Sequence, residues 1–255
     1  MEGGFYRMGR GGIRDTALRL VAGFGRAIFP HFCVSCGLEG QLFCSNCEVA
    51  RYAPNRGFFF CLGCGCRLKH QVSCGRASCV AGQWGRGFAA GSYGDPILRG
   101  LLHLYKYEQV EEAGKILIDF LATTVGRQVA AVLVGISCST VVPIPMHPVG
   151  RAWRGFNQAE ELARAVSTEL ETDFLPSGLA RRLSWQPQAK ISDHNRRVGH
   201  VSGMFKSGTD GIDLVRREVI LVDDVFTTGA TMRECIRTLH LIGVETVSAI
   251  VLLKG

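Results

Sequence analysis

The run Val219-Ile-Leu-Val-Asp-Asp-Val-Phe-Thr-Thr-Gly-Ala-Thr231 constrains the chain more than any other stretch. Its first four residues, Val219 to Val222, form a continuous apolar segment of the kind that makes a strand buried on both faces. Two carboxylates, Asp223 and Asp224, follow at the carboxyl end of that strand, where open α/β sheets bind ligands. Thr227, Thr228, Gly229, Ala230 and Thr231 then form a turn into a helix. The free N–H groups of a helix start suit a phosphate dianion. The threonine hydroxyls add donors, and Gly229 allows close backbone approach. Acids at one end and an anion-binding turn at the other match the hydroxyls and 5-phosphate of a ribose. A lone Asp-Asp pair would read as a solvated strand end; the ordered run of all these features favours a ligand.

The rest of the chain supports a strand–helix alternation. Phe88–Tyr93 reads as a strand, and Asp95-Pro96 is a helix-start signal followed by Ile97, Leu98, Leu101, Leu102 and Tyr105 at helical spacing. Ile116, Leu117, Phe120, Leu121 and Val125 continue a second helix. Thr140–Val142 is a short β-branched strand stopped by Pro143. Ala159, Leu162, Ala163, Val166 and Leu170 make another helical stripe. A helix from about Ala230 to Ile242 closes at Gly243, and Val247–Leu253 is a last buried strand. This order predicts an α/β fold with a mostly parallel sheet and helices on both faces. Ser184–His200 is polar and Arg-rich and reads as a long functional loop. Asp15 is a candidate cap for an N-terminal helix through Phe24.

Two further motifs lie upstream. Val141-Val-Pro-Ile-Pro145 ends a strand, and Arg151-Ala-Trp-Arg-Gly-Phe-Asn-Gln158 places two arginines before a glycine and a helix. Arginine forks neutralise diphosphate charge well. With Val219–Thr231, these residues resemble type I phosphoribosyltransferases and, within them, the ComF family, across roughly Ile28 to Leu253. The resemblance implies a Rossmann-like core that binds PRPP, or a related ribose 5-phosphate compound, with Mg2+. It carries the ribose contacts onto Asp223 and Asp224 and the phosphate contacts onto Thr227, Thr228, Gly229, Ala230 and Thr231. It carries the diphosphate side onto Pro145, Arg151 and Arg154; Asp223, Asp224 and Arg154 are the candidate catalytic residues. Lys106, in Leu104-Tyr-Lys-Tyr107, resembles a family lysine, against the reading of a snorkelling surface lysine. Arg182, Gln188, Arg196 and Arg197 resemble the family's Arg/Gln-rich segment and suit a lid over a polyanion.

Nine of the eleven cysteines fall between Cys33 and Cys79. Cys33, Cys36, Cys44 and Cys47 supply four thiolates in two CxxC pairs, what a closed structural zinc site requires. Cys61 and Cys64 with Cys74 and Cys79 are a candidate second site. Cys66 is a ninth thiol, and pairing across the two sets is an alternative. The ComF resemblance implies an N-terminal double zinc ribbon here. The expected division is a cysteine-rich module over residues 1–82 and a phosphoribosyltransferase-like domain over 83–255. Cys138 and Cys235 sit in apolar contexts, as core thiols do.

Residues 1–86 hold eleven Lys and Arg against four Asp and Glu, whereas residues 87–255 hold eighteen of each. Thiolates at two metal sites offset part of that basic excess, so it permits a nucleic-acid surface without requiring one. Met1–Gly12 does not read as a secretory signal, and no apolar run matches the roughly 20 residues of a membrane span. The expected setting is the reducing cytoplasm, with no membrane insertion. Two functions remain open. One is transfer of a phosphoribosyl group to an acceptor, linked through the family to DNA uptake in natural transformation. The other is a non-catalytic sensor of PRPP or nucleotides, or a protein that binds single-stranded DNA or DNA-uptake proteins.

Overall fold

The computed structural model describes residues 32–47, 57–68, 74, 76, 79, 84–129, 139–182 and 203–255. The helix expected after Asp15, Cys138, and the Arg-rich segment with Gln188, Arg196 and Arg197 lie outside the described residues. The chain divides into two units, Met1–Ala50 and Arg51–Gly255.

In the first unit, Phe32 and Glu39 bridge across a turn in which Gly37 adopts φ +74. Only glycine takes that conformation at little cost. The turn carries Cys33 and Cys36 back toward Cys44, whose N–H donates to the Cys33 sulfur at 3.4 Å.

The second unit is built on a six-stranded sheet in the order β1-β2-β8-β7-β3-β4. The strands are β1 (Phe58–Cys61), β2 (Arg86–Ser92), β3 (Ser139–Pro143), β4 (Asp173–Phe174), β7 (Glu218–Phe226) and β8 (Thr246–Lys254). All neighbours pair in parallel except β1, which runs antiparallel to β2. This is the mostly parallel α/β sheet that the apolar runs predict. Val219 and Leu221 of β7 and Val247, Ala249 and Val251 of β8 share one core cluster. The alternate residues Ile220, Val222 and Ile250 are buried as well, so both faces are covered, as successive side chains of a strand point to opposite sides.

The helices are α1 (Pro96–Tyr107), α2 (Glu111–Gln128), α3 (Pro148–Arg154), α4 (Gln158–Leu170) and α5 (Ala230–Leu241). The Asp95 carboxylate accepts from the N–H groups of Ile97 and Leu98, at 2.9 and 3.2 Å, and Pro96 opens the helix; this is the start that Asp95-Pro96 signals. Helix α2 packs on both α1 and α4, and α4 packs on β3 and β7. Helix α5 contributes Met232, Cys235, Ile236 and Leu239 to the core cluster with Phe60 and Leu62. A separate hairpin pairs β5 (Leu179–Arg181) with β6 (Phe205–Ser207) and lies against α5.

Two details depart from the sequence reading. Phe58–Cys61, inside the cysteine-rich segment, joins the sheet edge and buries Phe60 against the Phe226 ring, with centroids 4.7 Å apart. And β7 does not stop at Val222: pairing with β8 continues to Phe226 opposite Lys254, whereas β3 leaves it at Pro143 opposite Val222. Among the described residues no helix is long and apolar enough to cross a membrane.

Candidate functional site

Because β3 ends first, the last residues of β7 lose their neighbour on that side. The N–H of Ile144 makes the last link, to the Val222 carbonyl at 2.9 Å. Asp223 and Asp224 follow directly. The Asp223 carboxylate accepts the backbone N–H of Asp224 at 2.8 Å. Lys106, in the last turn of α1, reaches Asp224 at 2.5 Å, and both side chains are largely shielded, 16% and 15% exposed. Lys106 is thus held at the acidic pair through Asp224 rather than extended from the helix into solvent. Burial, then the neighbouring Asp224 charge, pushes Asp223 up to about 7, against the pull of Lys106.

The turn after β7 keeps Thr227 and Thr228 exposed. Gly229 is the N-cap of α5 with φ +74 and offers no side-chain cap to the first turn; the Thr228 hydroxyl accepts from the Ala230 N–H at 3.4 Å. A Cβ on Gly229 would stand 2.4 Å from the buried Phe226 ring, so the turn needs glycine for space as well as for φ. The result is a glycine-capped helix start that follows the two carboxylates within a few residues.

Across the β3 end lies the Arg151–Gln158 block. Pro148 opens α3 and Gly155, at φ +81, closes it. Asn157 caps α4, accepting from the Ala159 N–H at 3.2 Å, and donates to the Ile144 carbonyl at 3.3 Å. Arg154 donates to the Gln158 side chain at 3.3 Å. The Arg154 Nε and the Gln158 Nε2 are both buried without a partner among the described residues. Such donors are costly to bury unless something accepts from them. Arg151 is exposed and pairs with Glu160 at 3.6 Å. Phe156 stacks at 5.3 Å on Tyr105, whose hydroxyl donates to Glu161. Pro145 stands half-buried between β3 and α3.

The structure thus gathers Lys106, Asp223 and Asp224 in direct contact, with the Thr227–Thr231 turn following and Pro145, Arg151 and Arg154 on the segment after β3. Arg182 is exposed. Cys235 is fully buried, and burial first, then Asp223 and Glu234, holds its thiol well above the usual range; it is the inert core thiol its context suggested. Sequence reasoning did not single out Arg233, whose contact is non-local, nor the exposed Trp153 and Tyr107.

The cysteines form two groups, Cys33, Cys36, Cys44 and Cys47, and Cys61, Cys64, Cys74 and Cys79, with the four sulfurs of each within 4.8 Å of one another. Pairing follows sequence order and does not cross between sets. The Cys36–Cys44 and Cys64–Cys74 sulfurs stand 3.7 and 3.8 Å apart. Sulfurs about 2.3 Å from a central ion span tetrahedral edges of about 3.8 Å, so both groups have the size to hold a metal ion. Cys66 belongs to neither group, although its thiol meets those of Cys64 and Cys74.

A mostly parallel α/β sheet with an acidic strand end, a glycine-capped helix start after it and a lysine on Asp224 fits the phosphoribosyltransferase class. The phosphoribosyl transferase domain family matches residues 127–255, and the chain belongs to it. Among relatives, competence protein F of Haemophilus influenzae is 26% identical over 205 residues, 80% of this chain and 86% of that one. DNA utilization protein YhgH of Escherichia coli O157:H7 is 26% identical over 79% of this chain and 86% of its own. Competence protein ComFC of Streptococcus pneumoniae is 32% identical over 114 residues, 44% of this chain and 47% of that one. These relatives bear out the ComF resemblance drawn from the motifs.

Proposed function

We propose that the chain binds PRPP, or a closely related ribose 5-phosphate compound, together with Mg2+ and transfers the phosphoribosyl group to an acceptor. The observation that carries this reading is the adjacency of the Lys106–Asp224 pair, at 2.5 Å, to the Gly229-capped start of α5. Asp223 and Asp224 accept the two ribose hydroxyls. The N–H groups and hydroxyls from Thr227 to Thr231 hold the 5-phosphate. Pro145, Arg151 and Arg154 face the diphosphate, and the unpartnered Arg154 Nε is a donor in want of such an anion. In the reaction, the bond from C1 to the diphosphate oxygen breaks with its electron pair leaving on pyrophosphate. An acceptor lone pair forms the new bond to C1, and the acceptor proton passes to solvent. Mg2+ commonly takes few protein ligands and many substrate oxygens; its chemistry here is neutralising the diphosphate. The protein's own part is positioning and charge stabilisation.

Both cysteine groups hold Zn2+ in this reading, since four thiolates at tetrahedral separation are its usual structural set, and the setting is the cytoplasm. The names of the relatives, competence and DNA utilization, favour a link to DNA uptake. The test is calorimetric titration of PRPP with Mg2+ into wild type and an Asp223→Asn/Asp224→Asn variant. Binding that the variant loses supports the pocket; no binding by zinc-loaded wild type removes it.

A second reading, binding of single-stranded DNA, has its own support. Trp153 and Tyr107 are 58% and 52% exposed, and the Arg154 guanidinium stands 5.5 Å from the Tyr107 ring and 5.8 Å from that of Trp153. Exposed aromatics beside arginine make a stacking platform for bases. Salt-dependent binding of an oligonucleotide that Trp153→Ala weakens supports it, and equal binding by both proteins removes it.

A further inference from the structure

Beyond the acidic pair, on the far side of the β3 end, lies a cavity of about 530 Å³. It shares Pro145, Arg151 and Asn157 with the segment described above, and its far wall is formed by the β5–β6 hairpin through Leu179, Arg181 and Thr209. A cavity of a few hundred Å³ accommodates a small ring compound. Pro145, Pro148 and Pro176 line it, and proline presents a flat apolar surface with no N–H to satisfy.

Arg181 is the unusual member. It is half-buried in β5, and its Nε is buried with no partner among the described residues. The guanidinium lies 5.6 Å from the Phe205 ring centroid and donates only weakly, to the Met204 sulfur at 4.0 Å. Those contacts fix its position without neutralising it. An arginine does not shed its proton in a protein, so a shielded guanidinium needs an anion. The carboxylate that lines the same cavity, Glu160, is already engaged by Arg151 and Arg164 at 3.6 and 3.9 Å.

We infer that this cavity is the acceptor site and that it takes a planar ring bearing a carboxylate, which Arg181 grips. This rests on the phosphoribosyl-transfer reading for the identity of the ligand as acceptor. The flat apolar lining takes the ring, Arg181 takes the carboxylate as a fork, and Pro145 and Arg151, which the transferase reading sets against the diphosphate, line the same cavity. Neutral nucleobases leave Arg181 without its anion and are disfavoured. A phosphate group shares the anionic chemistry, and the donor's own diphosphate is its one alternative source.

The experiment titrates pyridine-2-carboxylate, pyrimidine-4-carboxylate and benzoate into zinc-loaded full-length protein, each beside its carboxamide, with and without PRPP and Mg2+. It uses wild type, Arg181→Gln, Arg181→Lys and Thr209→Trp. Thr209 is an exposed residue at the cavity wall, so Thr209→Trp fills the space without entering the core and guards against misfolding of the Arg181 variants. The expected result is binding of at least one carboxylate, tenfold or more tighter than its amide. Arg181→Gln and Thr209→Trp abolish that preference, Arg181→Lys retains part of it, and PRPP affinity stays within twofold in the two Arg181 variants. No carboxylate preference in wild type, or a preference that Arg181→Gln leaves intact, overturns the inference. A loss of PRPP affinity in Arg181→Gln without loss of carboxylate binding also overturns it, assigning Arg181 to the diphosphate. If carboxylates bind in this pattern but PRPP never does, the cavity stands and the transferase reading falls; PRPP binding with no carboxylate binding is the reverse.

Discussion

Arg233, in the first turn of α5, donates from its guanidinium to the carbonyl of Gly63 at 3.1 Å. Gly63 lies inside the Cys61–Cys64 knuckle, and Arg233 follows the Thr227–Thr231 turn. The contact ties the second cysteine group to the candidate phosphate site. The Phe60 and Phe226 rings, 4.7 Å apart, brace the same junction. Hydrogen bonds to charged groups contribute about 1.5–3 kcal/mol, so Arg233→Met is expected to weaken PRPP binding by about tenfold. Cys64→Ser, which removes one of the four thiols of the second cysteine group, is expected to do at least as much. Calorimetry with metal content measured in parallel checks both; unchanged affinity in Arg233→Met would show that the knuckle does not hold the turn.

The raised Asp223 carboxyl gives the site a pH dependence. An acid buried in this way has more protons bound in the folded chain than in the unfolded one between its ordinary value and about 7. Its contribution to stability therefore falls as pH rises through that window and levels off above it. Binding of PRPP with Mg2+ favours the ionised pair, so affinity is expected to climb from pH 5.5 to 8 with a midpoint near 7. Asp223→Asn should flatten the profile, and a wild-type affinity that does not change across this range would remove Asp223 from the ligand site.

Lys106 sets where that midpoint falls. Its ammonium, 2.5 Å from Asp224, also pulls the Asp223 value down. Removing the charge leaves two neighbouring carboxylates with no compensating cation, and such pairs resist joint ionisation. Lys106→Met is expected to move the midpoint of the binding profile to higher pH, whereas Lys106→Arg keeps it near wild type. A Lys106→Met profile that overlays wild type would make the pair incidental.

What could be read from the sequence was what is local in the chain. Val219 to Thr231 carries strand, acids, turn and helix start within thirteen residues, and the two cysteine groups keep sequence order. Helix α1 was legible from Asp95, Pro96 and the apolar spacing. Contacts between distant segments were not. Phe58–Cys61 is a four-residue apolar run that fits strand or knuckle equally, and only its pairing with Arg86–Ala89 decides. The extension of β7 to Phe226 depends on Lys254 opposite, which no local pattern reports. Arg181 was passed over for its neighbour Arg182: the two differ by one residue, and in a strand one residue reverses the face. The alternation Leu179-x-Arg181 opposite Phe205 was the available signal.

Asn157 is the last joint to test, because it holds two pieces of the site with one side chain. Its Oδ1 caps α4 through the Ala159 N–H at 3.2 Å, and its Nδ2 reaches the Ile144 carbonyl at 3.3 Å. Loss of an N-cap costs about 1 kcal/mol. Leaving the buried Ile144 carbonyl unpaired costs a further 1–3 kcal/mol or so. Asn157→Ala is thus expected to lower stability by about 2–4 kcal/mol, seen as a drop in Tm of about 5–10 °C. Asn157→Ser preserves the cap but not the reach to Ile144, so its loss should fall between those of wild type and Asn157→Ala. Asn157→Asp also keeps the cap but sets a carboxylate against the carbonyl, so it should be at least as damaging as Asn157→Ala at neutral pH. It should recover part of the loss below about pH 4, where a protonated carboxyl regains a donor. A Tm for Asn157→Asp equal to that of wild type at pH 7 would mean that the link between the β3 end and α4 carries no weight.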